Sequence, residues 1–170
     1  VYFGEEVGER GMDEEGFSGI NGRTTIFDWW SVGSIRRLRK VIASGEYRTL
    51  SVNALAKAGM KREEAHTFVR FAHALRFAAT DSAIQKGTTY DLCYCNSSSE
   101  GFDKDRHFAF LRDYQEHTLL IAANFSMVPA HMKLRIPQHA FEWMEIPQTE
   151  DLNTSTILEI TVPPMDGTII

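Results

Sequence analysis

The chain has 170 residues, of which 43% are hydrophobic and 24% charged, a composition typical of folded globular proteins rather than disordered ones. Its net charge of −5 argues against a nucleic-acid partner, since such binders usually carry a basic patch. No apolar run approaches the roughly 18 residues of a membrane span, and no signal-peptide pattern is present. The one basic cluster, within residues 36–40, is interpreted as the solvated face of a helix.

The N-terminal region resembles half of a βα unit, a strand followed by a loop and a helix. Residues 1–3 are strong β-formers that predict the end of a buried strand, and Gly4 permits a sharp turn. Residues 11–22 are interpreted as a Gly-rich acidic loop, and residues 23–30 are dense in aromatic side chains. Because the chain opens on Val1 without an initiator methionine, we expect it to be part of a longer protein.

Hydrophobic periodicity predicts two helices in the first half of the chain. The first covers residues 34–43, with Ser34 as its N-cap and Gly45 as its stop. The second covers residues 61–79, and we expect it to bury a broad apolar face. The stripe that predicts this face consists of Phe68, Ala72, Leu75 and Ala79.

From residue 89 onward the pattern changes to period two, which predicts short strands. The central feature is a hairpin, with strands at 107–112 and 118–125 on either side of a polar turn. Its second strand is nearly continuously apolar, so we expect both of its faces to be covered. Many short strands separated by turns favour an antiparallel sandwich, and the preceding helices make the fold α+β. The other predicted strands are residues 90–95, 131–136, 140–146, 157–162 and 168–170.

The two cysteines, Cys93 and Cys95, fall in a predicted strand as a C-x-C motif. Strand residues two apart lie roughly 6.5 Å apart with parallel side chains, which disfavours a mutual disulfide. One C-x-C is also a weak metal signal, so we expect free buried thiols. His66 and His73 lie about 10.5 Å apart along the predicted helix, too far to share a metal ion. The sequence therefore predicts no metal site.

Two groups of motifs carry a resemblance to a known family. The N-terminal YFGEEVGE, EGFSG and GRTTIFDWW resemble the eighth barrel strand and following loop of α-amylase-like enzymes in glycoside hydrolase family 13. The later FVRF, GTTYDL, FAFLRDYQEHTLLIAANFS, KLRIP and ITVPP are similar to the last barrel helix and C-terminal β-sandwich of bacterial members. The resemblance covers nearly the whole chain, and it rests on the order and spacing of the motifs together.

The resemblance implies a division of the chain and a role for it. Residues 1–87 are expected to be a remnant of the catalytic (β/α)₈ barrel, and residues 88–170 the C-terminal β-sandwich domain. The family acts on α-glucans with two aspartates and a glutamate on earlier barrel strands, and the G-x-R-x-D and N-H-D contexts are not found here. We therefore expect a structural accessory fragment that has no catalytic residues and no cofactor. Its expected partners are the missing barrel and α-glucan.

The resemblance also places candidate substrate-binding residues near the rim of the parent's cleft, namely Glu5, Glu6, Glu9 and Trp29. Solvated loop carboxylates are the competing interpretation, and at a strand end Glu5 and Glu6 point to opposite faces. The aromatic side chains of residues 23–30 either stack on sugar rings or pack against the barrel. Without the barrel they form an apolar patch, so we expect them to bury against the sandwich helix or to drive self-association.

Two other functions remain open at this point. A carbohydrate-binding module for starch-like polysaccharide predicts an exposed, roughly coplanar aromatic pair on the sandwich, drawn from Tyr94, Tyr114 and Trp143. A small unrelated enzyme would instead use the N-terminal carboxylates directly. The sequence leaves the parent's compartment open between periplasmic, secreted and cytoplasmic.

Overall fold

The computed structural model describes residues 4–8, 33–146 and 156–170. Within these ranges the fold is α+β, with six α-helices and six strands in two antiparallel sheets. The chain forms two compact units, which divide between Ala78 and Ala79. The predicted strand at residues 1–3, the acidic loop and the aromatic segment at residues 23–30 lie outside the described residues.

The first unit is helical in its described part. Helix α1 begins at Gly33, so Ser34 lies inside the helix and is not its N-cap as predicted. Gly45 follows at a φ of 78°, a left-handed conformation that ends the helix as predicted. The α-helices that begin in this unit are α1 (Gly33–Ser44), α2 (Val52–Lys57) and α3 (Arg62–Thr80).

In the described part of the first unit, α3 contributes less to the core than its sequence pattern predicts. Leu75 is 53% exposed, and Ala79 is exposed as well. The predicted buried face therefore does not extend to the C-terminal half of α3, and in the described part of this unit the core residues of α3 lie in its N-terminal half. The buried apolar residues of the core are Val7, Leu38, Val41, Leu55, Met60 and Ala65.

The second unit contains both sheets. The larger sheet has the strand order β1-β2-β3-β6, and the smaller one pairs β4 with β5. Every pairing is antiparallel. The strands are β1 (Thr88–Asp91), β2 (His107–Tyr114), β3 (His117–Asn124), β4 (Ala130–Ile136), β5 (Thr156–Val162) and β6 (Asp166–Ile169).

The predicted central hairpin is confirmed as β2 and β3, with a shorter turn than expected. Tyr114 pairs with His117, so only Gln115 and Glu116 form the turn. Both turn residues have positive φ, 52° and 66°, as a type I′ turn requires. Leu119 and Leu120 are adjacent and both buried, which confirms that both faces of β3 are covered there.

We expect this turn to limit the stability of the second unit, because neither residue favours the left-handed region. Replacing Gln115 by Asn and Glu116 by Gly should raise the free energy of unfolding by about 1 kcal/mol. Urea unfolding of the double variant against the parent chain measures the change. A Gln115→Val variant should lower the stability instead, and equal stability of all three proteins would contradict the assignment of the turn.

One hydrophobic core contains residues of both sheets. The larger sheet contributes Leu111, Leu120 and Ala122 to it, and the smaller sheet contributes alternate residues of β4, including Met132 and Leu134. Leu92, Ala140 and Met144 from outside the strands also belong to this core. The predicted alternation of β4 and the predicted strand at 157–162 are confirmed.

Helices replace the second half of one predicted strand, at 90–95, and most of another, at 140–146. Strand β1 ends at Asp91, and Cys93–Asn96 form α5, because the Asp91 carboxylate accepts a hydrogen bond from the Cys93 amide at 2.8 Å. Cys93 and Cys95 are free, as predicted, but half-buried, and burial raises the pKa of both thiols. Residues Gln138–Trp143 form α6 directly after Pro137, where a strand was predicted at 140–146.

The helix α4 (Ser82–Lys86) belongs to the second unit, so the units divide ahead of the predicted boundary after residue 87. It lies against β2 and β3. Arg112 Nε of β2 donates to the Ala83 carbonyl oxygen at 2.9 Å, and His117 Nε2 of β3 lies 2.8 Å from an Asp81 carboxylate oxygen. These polar contacts attach the segment before β1 to the central hairpin.

Candidate functional site

The N-terminal candidates do not assemble a site in the described part of the chain. Glu5 and Glu6 lie in a 3₁₀ turn, Glu5–Val7, between two left-handed glycines, and not in extended backbone. Successive side chains of such a turn are about 120° apart, so the expected opposite faces are wrong. Glu5 is exposed, and Glu6 Oε2 accepts the Gly4 amide at 3.1 Å. Glu9 and Trp29 lie outside the described residues.

A polar cleft of about 250 Å³ lies nearby in the first unit, but neither Glu5 nor Glu6 lines it. Its walls include the ion pair of Arg37 with Glu64, in which Arg37 Nε lies 2.9 Å from Glu64 Oε2. A second Arg37 nitrogen bonds Glu64 Oε1, and the Lys61 amide donates to Oε2 at 2.9 Å. The Glu64 carboxylate is therefore occupied by structural partners. Its bond to the Lys61 amide, just before α3 begins, is one half of a capping box.

The ion pair gives the first unit a pH dependence with a defined sign. Hydrogen bonding from Arg37 holds the pKa of Glu64 below its ordinary value of 4.5. The stabilisation is therefore complete above about pH 4.5 and is lost as the pH falls toward the lowered pKa. Glu64→Gln should lower the free energy of unfolding by about 2 kcal/mol at pH 7. It should also flatten the acid limb, the fall in the free energy of unfolding as the pH drops below about 4.5.

Denaturant unfolding at several pH values measures both effects. Glu63→Gln is the matched control, because Glu63 lies in the same helical turn and is exposed. We expect the control to keep the wild-type acid limb. Equal acid limbs for Glu64→Gln and the wild type would contradict a stabilising ion pair.

The second unit carries an open cleft of about 620 Å³ with a different chemistry. It forms where β1 ends and the short helices α5 and α6 begin. We call it the aromatic cleft, and its walls include Tyr90, Asp91, Tyr94, His139, Glu142 and Trp143.

Three polar groups converge at the base of the aromatic cleft. The Tyr94 hydroxyl lies 2.6 Å from His139 Nε2 and 2.5 Å from the Tyr90 hydroxyl, which also bonds His139 Nε2. The Tyr90 and His139 rings meet edge to face with centroids 5.6 Å apart. Burial, together with the bond to Tyr94, raises the pKa of Tyr90, so its phenol stays protonated. The network fixes the position of the Tyr94 ring.

Two large aromatic side chains stand exposed at the cleft, Tyr94 at 56% and Trp143 at 70%. The carboxylates of Asp91 and Glu142 lie beside them and are exposed as well. Such a surface can stack on a flat apolar ring face and accept hydrogen bonds from hydroxyl groups. Tyr114, the third predicted aromatic, is half-buried and does not line this cleft. Its ring centroid lies 5.7 Å from Lys86 Nζ.

The structure therefore brings together two of the three aromatic candidates and adds two residues that the sequence analysis did not select, Tyr90 and His139. A weak signal was present for His139, which is four residues before Trp143. On a helix that spacing puts both side chains on one face. Because the sequence analysis predicts a strand at 140–146, it does not place His139 and Trp143 on a common helical face.

Neither a metal site, nor a membrane-spanning helix, nor a similar protein adds to this description of the described residues. In residues 4–8, 33–146 and 156–170, no group of three or more His, Cys, Asp or Glu side chains could hold a metal ion. None of the helices in these ranges combines the length and apolarity needed to cross a membrane. No family model, no curated protein and no solved structure matches this chain.

Proposed function

We propose that this chain is the C-terminal part of an α-amylase-like enzyme of glycoside hydrolase family 13. In this proposal the second unit is the enzyme's C-terminal β-sandwich, and the helical first unit is the end of the catalytic barrel. One observation carries the proposal. Two antiparallel sheets share one core after a helical segment, in the part of the chain where the resemblance implies a sandwich.

The proposed role of the chain is structural, and the parent's reaction is hydrolysis or transfer at α-glucosidic bonds. A retaining glycosidase needs two carboxyl groups about 5 to 5.5 Å apart across its substrate. In the described part of the chain, Glu64 is occupied by Arg37 and Lys61, and Glu5 and Glu6 do not line the polar cleft. This arrangement of the carboxylates in the first unit supports a structural role for that unit.

The coding sequence upstream of Val1 tests the proposal directly. We expect an open reading frame continuous with this one, encoding a (β/α)₈ barrel with aspartate, glutamate and aspartate at the ends of its strands. We also expect the isolated chain to release no reducing sugar from soluble starch. A start codon directly before Val1, or starch hydrolysis by the isolated chain, would contradict the proposal.

A further inference from the structure

We propose that the aromatic cleft is a binding site for a neutral saccharide, with Tyr94 and Trp143 as stacking surfaces. This adds a binding function to the structural role proposed above. That the saccharide is an α-glucan rests on the proposed function, whereas the site itself rests on the geometry of the cleft.

The first argument is that an exposed aromatic side chain is held rigid. Tyr94 exposes more than half of its surface, yet its hydroxyl is bonded to Tyr90 and to His139 Nε2. The apolar ring is thus presented to solvent in a fixed position, and little side-chain freedom is left to lose on binding. A Tyr that served only to pack the core would turn its ring inward, as Tyr90 does at 9% exposure.

The second argument is the charge of the cleft. Asp91 and Glu142 line it, and no Lys or Arg is among its described lining residues. Carboxylates repel phosphate and other anions but accept hydrogen bonds from hydroxyl groups. The ligand chemistry that fits is a ring with one apolar face and several hydroxyls at its edge.

The third argument is the shape, which separates a saccharide from an organic cation. A cationic ammonium group is best held over several aromatic faces at once. Of the Tyr and Trp rings described at the cleft, only Tyr94 and Trp143 are exposed, because Tyr90 is buried. The His139 ring is exposed too, but an imidazole is not among the rings that hold cations best. The volume of about 620 Å³ lies within the range of roughly 300 to 1,000 Å³ seen for ligand sites. An open cleft of this kind suits a flat, extended ligand.

Affinity electrophoresis of the whole chain tests the site, with soluble starch in one native gel and a soluble β-glucan in another. We expect starch to retard the wild type, and Trp143→Ala to weaken the apparent affinity at least about tenfold. Tyr94→Phe keeps the ring and loses the hydroxyl, so we expect a smaller loss of about threefold. Phe125→Ala is the matched control, because Phe125 is 64% exposed and does not line the cleft.

The outcomes separate this inference from the proposed function. Retardation by β-glucan alone, lost in Trp143→Ala, would keep the saccharide site and contradict the α-glucan assignment. No retardation by either polymer, or retardation unchanged in Trp143→Ala, would overturn the site. Calorimetric binding of tetramethylammonium without binding of either glucan would also overturn it, in favour of a cation site. Far-UV circular dichroism establishes that each variant is folded.

Discussion

Gly101→Ala is expected to destabilise the second unit by at least about 4 kcal/mol, because the added methyl group would collide with backbone. Gly101 has a φ of 77°, and a Cβ there would stand 1.8 Å from the His131 carbonyl oxygen. It would also meet the His131 carbonyl carbon at 2.9 Å. Both atoms are backbone of β4, which cannot retreat, because the neighbouring Met132 and Leu134 are buried in the core that both sheets share.

Gly45→Ala is the matched control for this prediction. Gly45 has nearly the same φ, 78°, but nothing lies within 4 Å of an added Cβ. It should therefore cost only the left-handed backbone penalty of about 1 to 2 kcal/mol. Hydrogen exchange followed by mass spectrometry measures the stability of the two units separately. Gly45→Ala is therefore compared with the wild type in the first unit, and Gly101→Ala in the second. Similar losses at both positions would show that the close approach to β4 does not exist.

The elements that the sequence predicts well are those whose signal is local. The hairpin is encoded by two β-forming runs on either side of a polar break. Along β4, the alternation of apolar and polar residues in the sequence matches the alternation of buried and exposed side chains. The stop at Gly45 depends on backbone freedom, which only glycine offers at no steric cost. These features need no knowledge of what packs against them.

The errors arise where a non-local or side-chain interaction overrides propensity. The segment Cys93–Asn96 is a helix because Asp91 and Asn96 bond the backbone around it, although Tyr94 and its neighbours favour a strand. The stripe on α3 correctly predicts a helix, but amphipathicity alone does not say whether Leu75 finds a partner. Pattern specifies the element, and tertiary contacts decide its burial.

The candidate site shows the same limit. The sequence indicates Tyr94 and Trp143 as aromatics of a binding surface, and the structure places both at one cleft. Their common position depends on β1 ending at Asp91 and on α6 beginning after Pro137. Neither boundary was predicted, so Tyr90 and His139 could not be assigned to the site from the sequence.

A substitution of Asn96 is expected to have the second large effect on stability, because the Asn96 side chain uses all of its hydrogen-bonding capacity in the interior. Its side chain has 0% exposure. Nδ2 donates to the carbonyl oxygens of Leu92 and Arg135, each at 2.9 Å. Oδ1 accepts the Arg135 amide at 2.7 Å and the Ser99 hydroxyl at 2.8 Å. These bonds attach α5, and with it Tyr94, to β4.

Asn96→Asp keeps the shape of the side chain and replaces both N–H donors with a carboxylate oxygen that faces two carbonyl oxygens. We expect a loss of about 3 to 4 kcal/mol at pH 7, from the lost bonds and the buried unpaired charge. The surroundings raise the folded-state pKa of the introduced carboxyl above its unfolded value of about 4. The loss should therefore be smallest below about pH 4 and grow as the pH rises.

Urea unfolding between pH 3.5 and 8 measures this loss as the difference between the variant and the wild type at each pH. Asn53→Asp is the control, because Asn53 of α2 is exposed, and it should show a small difference at every pH. If the network exists, the Asn96 variant should also loosen Tyr94 and weaken starch retardation before the second unit unfolds. A difference that does not depend on pH would mean that the introduced carboxyl reaches water, and the closed network around α5 would then be wrong.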